Sequence, residues 1–568
     1  MKKSITELIH YLAFLMLPLV ISSCGMLGIH FNVHNPKKAG VYPKETKQIT
    51  LLGRNSKYRS CFDVYHNELN VEVVPSKKFI SGNVTIKAKA MNDFDTLQID
   101  LYKNMEIKNI KSKNQSLTYT REEGAVFVKM PGKIISNELF EITITYEGNP
   151  ISAKRPPWDG GFVWKKDKEE NPWIGVTCET EGSSSWWPSK DMMCDEADST
   201  DVIITVPGNL MAVSNGVLID SVNQNGKNTF HWHISYPINN YNVSLYIGNL
   251  KLLHDNYISA TTGDTIQLNH YVLPYNYEKA KPHFQQLKKY LTFYEKMFGA
   301  YPWQRDGFKL VESPYAGMEH QSAIAYGNGY KNDYPGTFDY IILHETAHEW
   351  WGNSVTAADL ADGWIHEGFA SYCEALYVEC ISGHAAYLDY MYWQRISILN
   401  KRPVVRKRDI RYFDYHDGDI YSKGSWILHS LRTLIADDPL FFEILKTFRV
   451  ENNQKQVFSE TFIALVNKKT GKDFNWFFKQ YLFKREAPIF EFSWTNTTLY
   501  YRWQNVENDF VMLIEIEVQG KKIQLTPTLK IQKIELPNIH PQFSDNSDKL
   551  YYGAIRNKKL EKEFVNNH

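Results

Sequence analysis

The sequence is poor in cysteine, and its charges cancel. Six cysteines among 568 residues cannot supply the dense disulfide framework of a small secreted scaffold. Lys plus Arg number 64 and Asp plus Glu number 64, so the formal net charge is zero. The chain therefore lacks the overall basic field that would draw it to nucleic acid. No internal repeat and no nucleotide-binding glycine loop stands out. The main apolar run, from about Leu8 to Ile21, falls short of the roughly 20 residues that a membrane-spanning helix needs. What is present is ordinary for a globular protein with large cores: 43% hydrophobic and 23% charged residues. The length suggests about three or four domains.

The N-terminus has a basic start, Met1-Lys2-Lys3, then the short apolar run, then Ser22-Ser23-Cys24-Gly25. That order reads as a secretory signal over 1–24. Ile21-Ser22-Ser23-Cys24 resembles a bacterial lipobox. The resemblance implies an exported bacterial lipoprotein, periplasmic or in the cell envelope, held to a membrane by lipid on Cys24. The alternative is an ordinary signal peptide with an incidental cysteine. Residues 25–57 mix Lys, Gly, Pro and Asn with little periodicity and read as a tether. Without Cys24 five cysteines remain, an odd number. Cys373 and Cys380 lie two helical turns apart, too far to bridge within one helix. Buried thiols are expected, with at most one bridge, Cys178 to Cys194.

The rest divides by periodicity into a multidomain α+β chain. Over 58–254 the pattern is β, with period-two alternation in Leu69–Val73, Val84–Ala88 and Phe140–Ile144. This predicts an N-terminal antiparallel β domain. Inside it, Trp158 to Asp198 holds five tryptophans among Gly, Pro and Ser, a segment suited to a domain seam or a pocket wall. Over 255–486 helices dominate. Tyr277 to Phe298, Trp364 to Ile381, Ala385 to Leu399 and Gly424 to Leu434 are examples, with short strands between Asp306 and Tyr330. Over 487–568 alternation returns, in Phe490–Trp494 and Met512–Val518, enough for one small sandwich-like domain. Lys558 to Glu563 reads as a solvated tail.

The chemistry centres on His344-Glu345-Thr346-Ala347-His348, followed after eighteen residues by Glu367. Residues four apart share one helix face, so His344 and His348 can aim two imidazoles at one ion. Glu345 is turned by about 100° around that helix and can sit beside the ion without binding it. Glu367, on the next predicted helix, supplies a third donor. Two His and one carboxylate leave a tetrahedral position open, as in catalytic zinc sites. Glu374, seven residues beyond Glu367, falls on nearly the same face and can orient an imidazole, with a salt-bridged surface role as the alternative.

H-E-x-x-H, eighteen residues and then Glu within Trp364-Ile365-His366-Glu367-Gly368-Phe369-Ala370 resembles the gluzincin arrangement of the M1 zinc aminopeptidases. Gly317-Met318-Glu319-His320 is similar to that family's G-x-M-E-N, and Tyr421-Ser422-Lys423-Gly424 to its Y-x-K-G. The resemblance spans roughly 60–485 and is nearest to a bacterial lipoprotein branch. It implies a thermolysin-like helical catalytic domain holding one Zn2+ on His344, His348 and Glu367. It also implies Glu345 as general base and Tyr421 as a donor to the developing oxyanion. Glu319 and Glu179 would meet the free N-terminal amine of a peptide substrate, beside Gly317 and Met318. Glu181 is the rival of Glu179 in register. His320 and His366 stand where the family usually has Asn. The family also includes an epoxide hydrolase, so that activity is one alternative; a lipid-anchored peptide-binding protein without catalysis is another.

Overall fold

The computed structural model describes residues 33–566, except 41–43, 335–336, 413–417, 496, 519–520 and 537–542; the side chains of 543 and 544 are likewise left undescribed. Cys24 and the signal segment lie outside the described residues.

The N-terminal domain is built on an eight-stranded sheet. Its order is Val217–Gln224, Lys227–Ile234, Ser199–Pro207, Phe62–Val74, Phe79–Ala90, Leu139–Gly148, Met105–Ser112 and Gln115–Ser116. One face is covered, so burial alternates along Phe62–Val74: Leu69, Val71 and Val73 are buried while their neighbours are not. The expectation of an antiparallel domain needs one correction. Phe62–Val74 pairs in parallel with Ser199–Pro207, because the chain leaves the sheet after Leu139–Gly148 and returns only at Ser199, beside its first strand.

The central sheet runs Lys251–Ile258, Thr265–Val272, Lys309–Glu312, Ala323–Tyr326 and Gly317–Met318, with Gly317–Met318 at its edge. Its strands Lys309–Glu312, Ala323–Tyr326 and Gly317–Met318 are buried on both faces. Val311, Ala323 and Ala325 join the core of the N-terminal domain, whereas Leu310, Ile324 and Tyr326 join that of the helices. The period-two geometry of a strand thus welds two domains through one sheet.

Five helices frame the cleft: α1 (Gln286–Phe298), α2 (Tyr340–Ala347), α3 (Trp364–Ser382), α4 (His384–Ser397) and α5 (Asp419–Ile435). The side chain of Asp339 caps α2 by accepting from Ile341 N and Ile342 N. α2 closes at Ala347, and His348 forms its C-cap in helical geometry. Every residue of α3 from Trp364 to Val378 is buried, so that helix runs through the middle of the core. Where α3 crosses α5, Gly368 meets Gly424, and a β-carbon on Gly424 would lie 2.8 Å from Gly368 Cα. The two motif glycines therefore set how closely the helix of Glu367 approaches the helix of Tyr421.

Two small sheets form the C-terminal domain, and its aromatic residues share one core with the helices. The final stretch is not a free tail. Leu560–Asn566 is helical, Leu560 is buried, and Phe564 packs 5.5 Å from Tyr500, centroid to centroid. Of the expected tether, 25–32 and 41–43 lie outside the described residues, and the described remainder is not loose. Asn35 exchanges two hydrogen bonds with the backbone of Ala487, at 3.0 and 2.9 Å. Pro36 O accepts from Arg485, His34 O accepts from Asn400, and Lys47–Gly53 forms a helix bonded to Arg411 N. The segment is held here by hydrogen bonds between backbone groups and side chains of distant segments, a kind of pairing that leaves no pattern in the sequence. The five described cysteines are free, so the Cys178–Cys194 bridge is not formed; the Cys178 thiol donates to Tyr241 O instead.

Candidate active site

His344 Nε2 and His348 Nε2 lie 3.2 Å apart, and Glu367 Oε2 is 3.3 and 3.4 Å from them. An ion with bonds of about 2.0–2.1 Å in tetrahedral geometry requires donor–donor edges of about 3.3 Å. The triangle already has that size. Glu367 Oε2 is buried and has no hydrogen-bond partner, so one acceptor is left for a cation. The residues fit a single divalent ion with one face open, and imidazole plus carboxylate donors suit zinc.

The other imidazole nitrogens fix the rings. His344 Nδ1 lies 2.5 Å from Glu374 Oε1, whose second oxygen accepts from the Tyr390 hydroxyl at 2.5 Å. His348 Nδ1 is 2.9 Å from Trp351 O. In both rings Nδ1 donates and Nε2 is left with its lone pair facing the triangle. The Tyr340 ring stacks on His344 at 5.5 Å. Trp351 O, Tyr390 and Tyr340 were not singled out from sequence. A backbone carbonyl carries no residue signal, and Tyr390 reaches Glu374 only because α4 folds back along α3.

Around the triangle, His344, Glu345, His348 and Glu367 line a cleft with Tyr340, Ile341, Gly317, Met318, Glu319, Glu179, Trp158 and Tyr421. Glu345 is buried, and a β-carbon on Gly317 would collide with its Oε1, so the glycine lets the edge strand pass over the acid. Tyr421 Oη donates to Glu367 Oε1 at 2.7 Å, the oxygen turned away from the triangle. Burial raises the Tyr421 pKa well above its usual value, so the phenol keeps its proton as a donor. Lys423 of the same motif is buried beneath it and donates to Arg485 O at 2.9 Å, tying α5 to the chain after the helix Asn475–Phe483.

Glu319 follows the edge strand and is buried rather than a surface charge. Glu179 reaches the same corner, with an oxygen within 4.8 Å of Glu319. Glu181 serves elsewhere: its carboxylate accepts from Gly160 N at 2.6 Å. Burial, with Glu319, Glu367 and Glu345 nearby, pushes the Glu179 pKa well above the carboxylate range. Burial also raises Glu319, against the opposing His348. Crowded, desolvated carboxylates of this kind favour an incoming cation. His320 and His366 take up fixed structural contacts. His320 Nδ1 meets the Tyr246 hydroxyl at 2.6 Å and His366 Nε2 accepts from Ala357 N at 2.8 Å. Burial lowers both pKa values to about 3 and keeps both rings neutral. The tryptophans divide between the two expected roles: Trp186 and Trp187 are fully buried, and Trp158 stands at the cleft mouth.

The family model "Peptidase M1 N-terminal domain" matches residues 63–241 and "Peptidase family M1 domain" matches 283–481, together more than half of the chain. The chain belongs to peptidase family M1. Among curated relatives, mouse (Mus musculus) aminopeptidase B is 25% identical over 389 residues, covering 63% of this chain and 54% of the relative. The match thus spans about half the length of that relative. Two solved structures share the fold. One is a mutant of the M1 zinc metallopeptidase of Deinococcus radiodurans bound to a Tyr-Ser-Ala substrate. It has a TM-score of 0.63 at 23% identity and covers 75% of this chain and 95% of that one. The other is yeast LTA4 hydrolase, with a TM-score of 0.64 at 20% identity, covering 83% and 72%. The α+β architecture of this M1 chain is therefore that of its family.

Proposed function

We propose that this M1 protein is a zinc-dependent aminopeptidase that removes the first residue of a peptide bearing a free N-terminal amine. One observation carries the reading. A donor triangle of catalytic type stands beside two crowded carboxylates, at the end of a sheet edge. The edge strand Gly317–Met318 offers its outer side to an extended peptide. Glu319 and Glu179 then pair with the α-ammonium, a cation at neutral pH, and hold the first peptide bond over the triangle.

His344, His348 and Glu367 would hold the zinc, which when bound would supply a Lewis acid and acidify the attacking water to a pKa of about 7. Glu345 takes the proton of the attacking water and returns it to the leaving nitrogen. Tyr421 donates to the carbonyl oxygen as negative charge gathers there; one such donor is worth about 3 kcal/mol. A neutral epoxide would leave the two carboxylates without a counter-charge, which disfavours that alternative here.

The test is a matched pair of reporters. An N-acetylated aminoacyl substrate should turn over at least about 100-fold more slowly than the free amine, because it buries the carboxylates unpaired. Equal rates would remove the exopeptidase reading.

We further infer attachment to a bacterial membrane through lipid on Cys24. The support is the basic start, the short apolar run and Ser22-Ser23-Cys24. Among the described residues no helix is long and apolar enough to cross a membrane. Cys24→Ser should shift the protein from the membrane fraction of an expressing bacterium to the soluble one; wild-type protein recovered only in the soluble fraction would defeat the idea.

A further inference from the structure

The corner that receives the amine is assembled from two domains. Glu319 belongs to the catalytic domain, yet its side chain is held from the other side of the seam. Tyr241, in the N-terminal domain, donates its hydroxyl to Glu319 Oε1 at 3.2 Å. Tyr241 is 2% exposed and Glu319 is 4% exposed, so this bond is shielded from bulk water. Among the described residues no lysine or arginine forms an ion pair with Glu319.

The turn carrying Tyr241 is itself tightly fixed. Asn239 caps it by accepting from Tyr241 N at 3.2 Å, and Asn240 Nδ2 donates to Lys190 O at 2.8 Å. Asn242 Oδ1 accepts from Gln321 N at 3.2 Å, and its Nδ2 donates to Asn353 Oδ1 at 2.8 Å. Asn353 in turn donates to Glu319 O at 2.9 Å. One short turn of the N-terminal domain thus grips Glu319 by its side chain and, through Asn353, by its backbone. The same turn reaches the second carboxylate. Cys178, the residue before Glu179, donates its thiol to Tyr241 O at 3.3 Å.

We propose that Tyr241 is a positioning residue for the reaction: its hydroxyl holds Glu319 facing Glu179, so that the seat for the substrate's ammonium exists only while the two domains are docked. This rests on the reading that Glu319 and Glu179 receive the α-amine. The chemistry of the donor supports it. A lysine or arginine at this place would neutralise Glu319 and compete with the substrate. A phenol keeps its proton and orients the carboxylate while leaving its charge for the incoming cation.

Two ligands that are not hydrolysed, L-phenylalanine and 3-phenylpropanoate, differ only in the α-ammonium. Their inhibition constants against an aminoacyl reporter give the wild-type preference for the amine. In Tyr241→Phe, which removes one oxygen, that preference should fall about ten- to hundredfold. Binding of 3-phenylpropanoate, zinc content and unfolding temperature should stay near wild type. In a Glu319→Gln background the same substitution should change nothing further, since Tyr241 acts through that carboxylate. An equal loss for both ligands, no loss for either, or an undiminished Tyr241→Phe effect in the Glu319→Gln background would overturn the proposal. Wild-type protein binding both ligands equally would overturn the amine-seat reading itself, whatever Tyr241 does.

Discussion

Glu345→Gln retains its metal and loses roughly 10²- to 10⁴-fold in turnover. Glutamine copies the shape of Glu345 and keeps a donor and an acceptor, but it cannot carry a proton between water and the leaving nitrogen. The environment of Glu345 suits that task. Burial, opposed by His344 and reinforced by the Glu319 charge, raises its pKa to about 8. A group that titrates close to neutral pH can both take and return a proton within one cycle. Glu345 is not part of the His344–His348–Glu367 triangle, so the substitution should leave metal stoichiometry at one per chain. Metal analysis beside steady-state kinetics separates the two effects. Ordinary turnover in a metal-loaded variant would remove Glu345 from the mechanism.

Metal affinity climbs with pH, by about tenfold per unit for each proton displaced, through the range in which the two imidazoles lose their protons. In the metal-free site burial alone would depress His348, but Glu367 outweighs it and raises the pKa to about 8. His344 is likewise raised well above its ordinary value, by Glu367 and Glu374 acting against burial. Below those values protons occupy the nitrogens that an ion needs. A His348 pKa raised above 6.5 stabilises the chelated fold fully below about pH 6.5, and that contribution is lost as pH rises through about 8. Metal-loaded protein gains over the same window. The gap in melting temperature between loaded and chelated protein should therefore widen from pH 6.5 to 8. Titration against a chelating dye at three pH values, with melting curves, checks both. An affinity flat across the window would mean that these imidazoles do not bind the ion.

The donor set was legible because helix geometry is local. His344 and His348 share a face wherever Tyr340–Ala347 is helical, and Glu367 enters on the next helix with Glu374 two turns beyond it. The β alternation of Leu69–Val73 was legible for the same reason, since one covered face imposes period two. Other features left no such mark. The parallel pairing of Phe62–Val74 with Ser199–Pro207 joins strands more than a hundred residues apart. The Asn35–Ala487 bonds join segments 452 residues apart. The final helix, after Lys558, is held by an aromatic contact with Tyr500.

By itself, then, the sequence determined which side chains the fold gathers at one cleft: two imidazoles, a third donor, an acid beside them and a tyrosine within Y-x-K-G. Their spacing along single helices specifies most of that. Only the tertiary structure decided how they meet: Gly368 against Gly424 sets the approach of Glu367 to Tyr421, Glu181 is turned away to Gly160, and Tyr241 crosses the domain seam to Glu319. Backbone spacing within one element is encoded locally, whereas contacts between elements depend on packing that every distant segment helps to set.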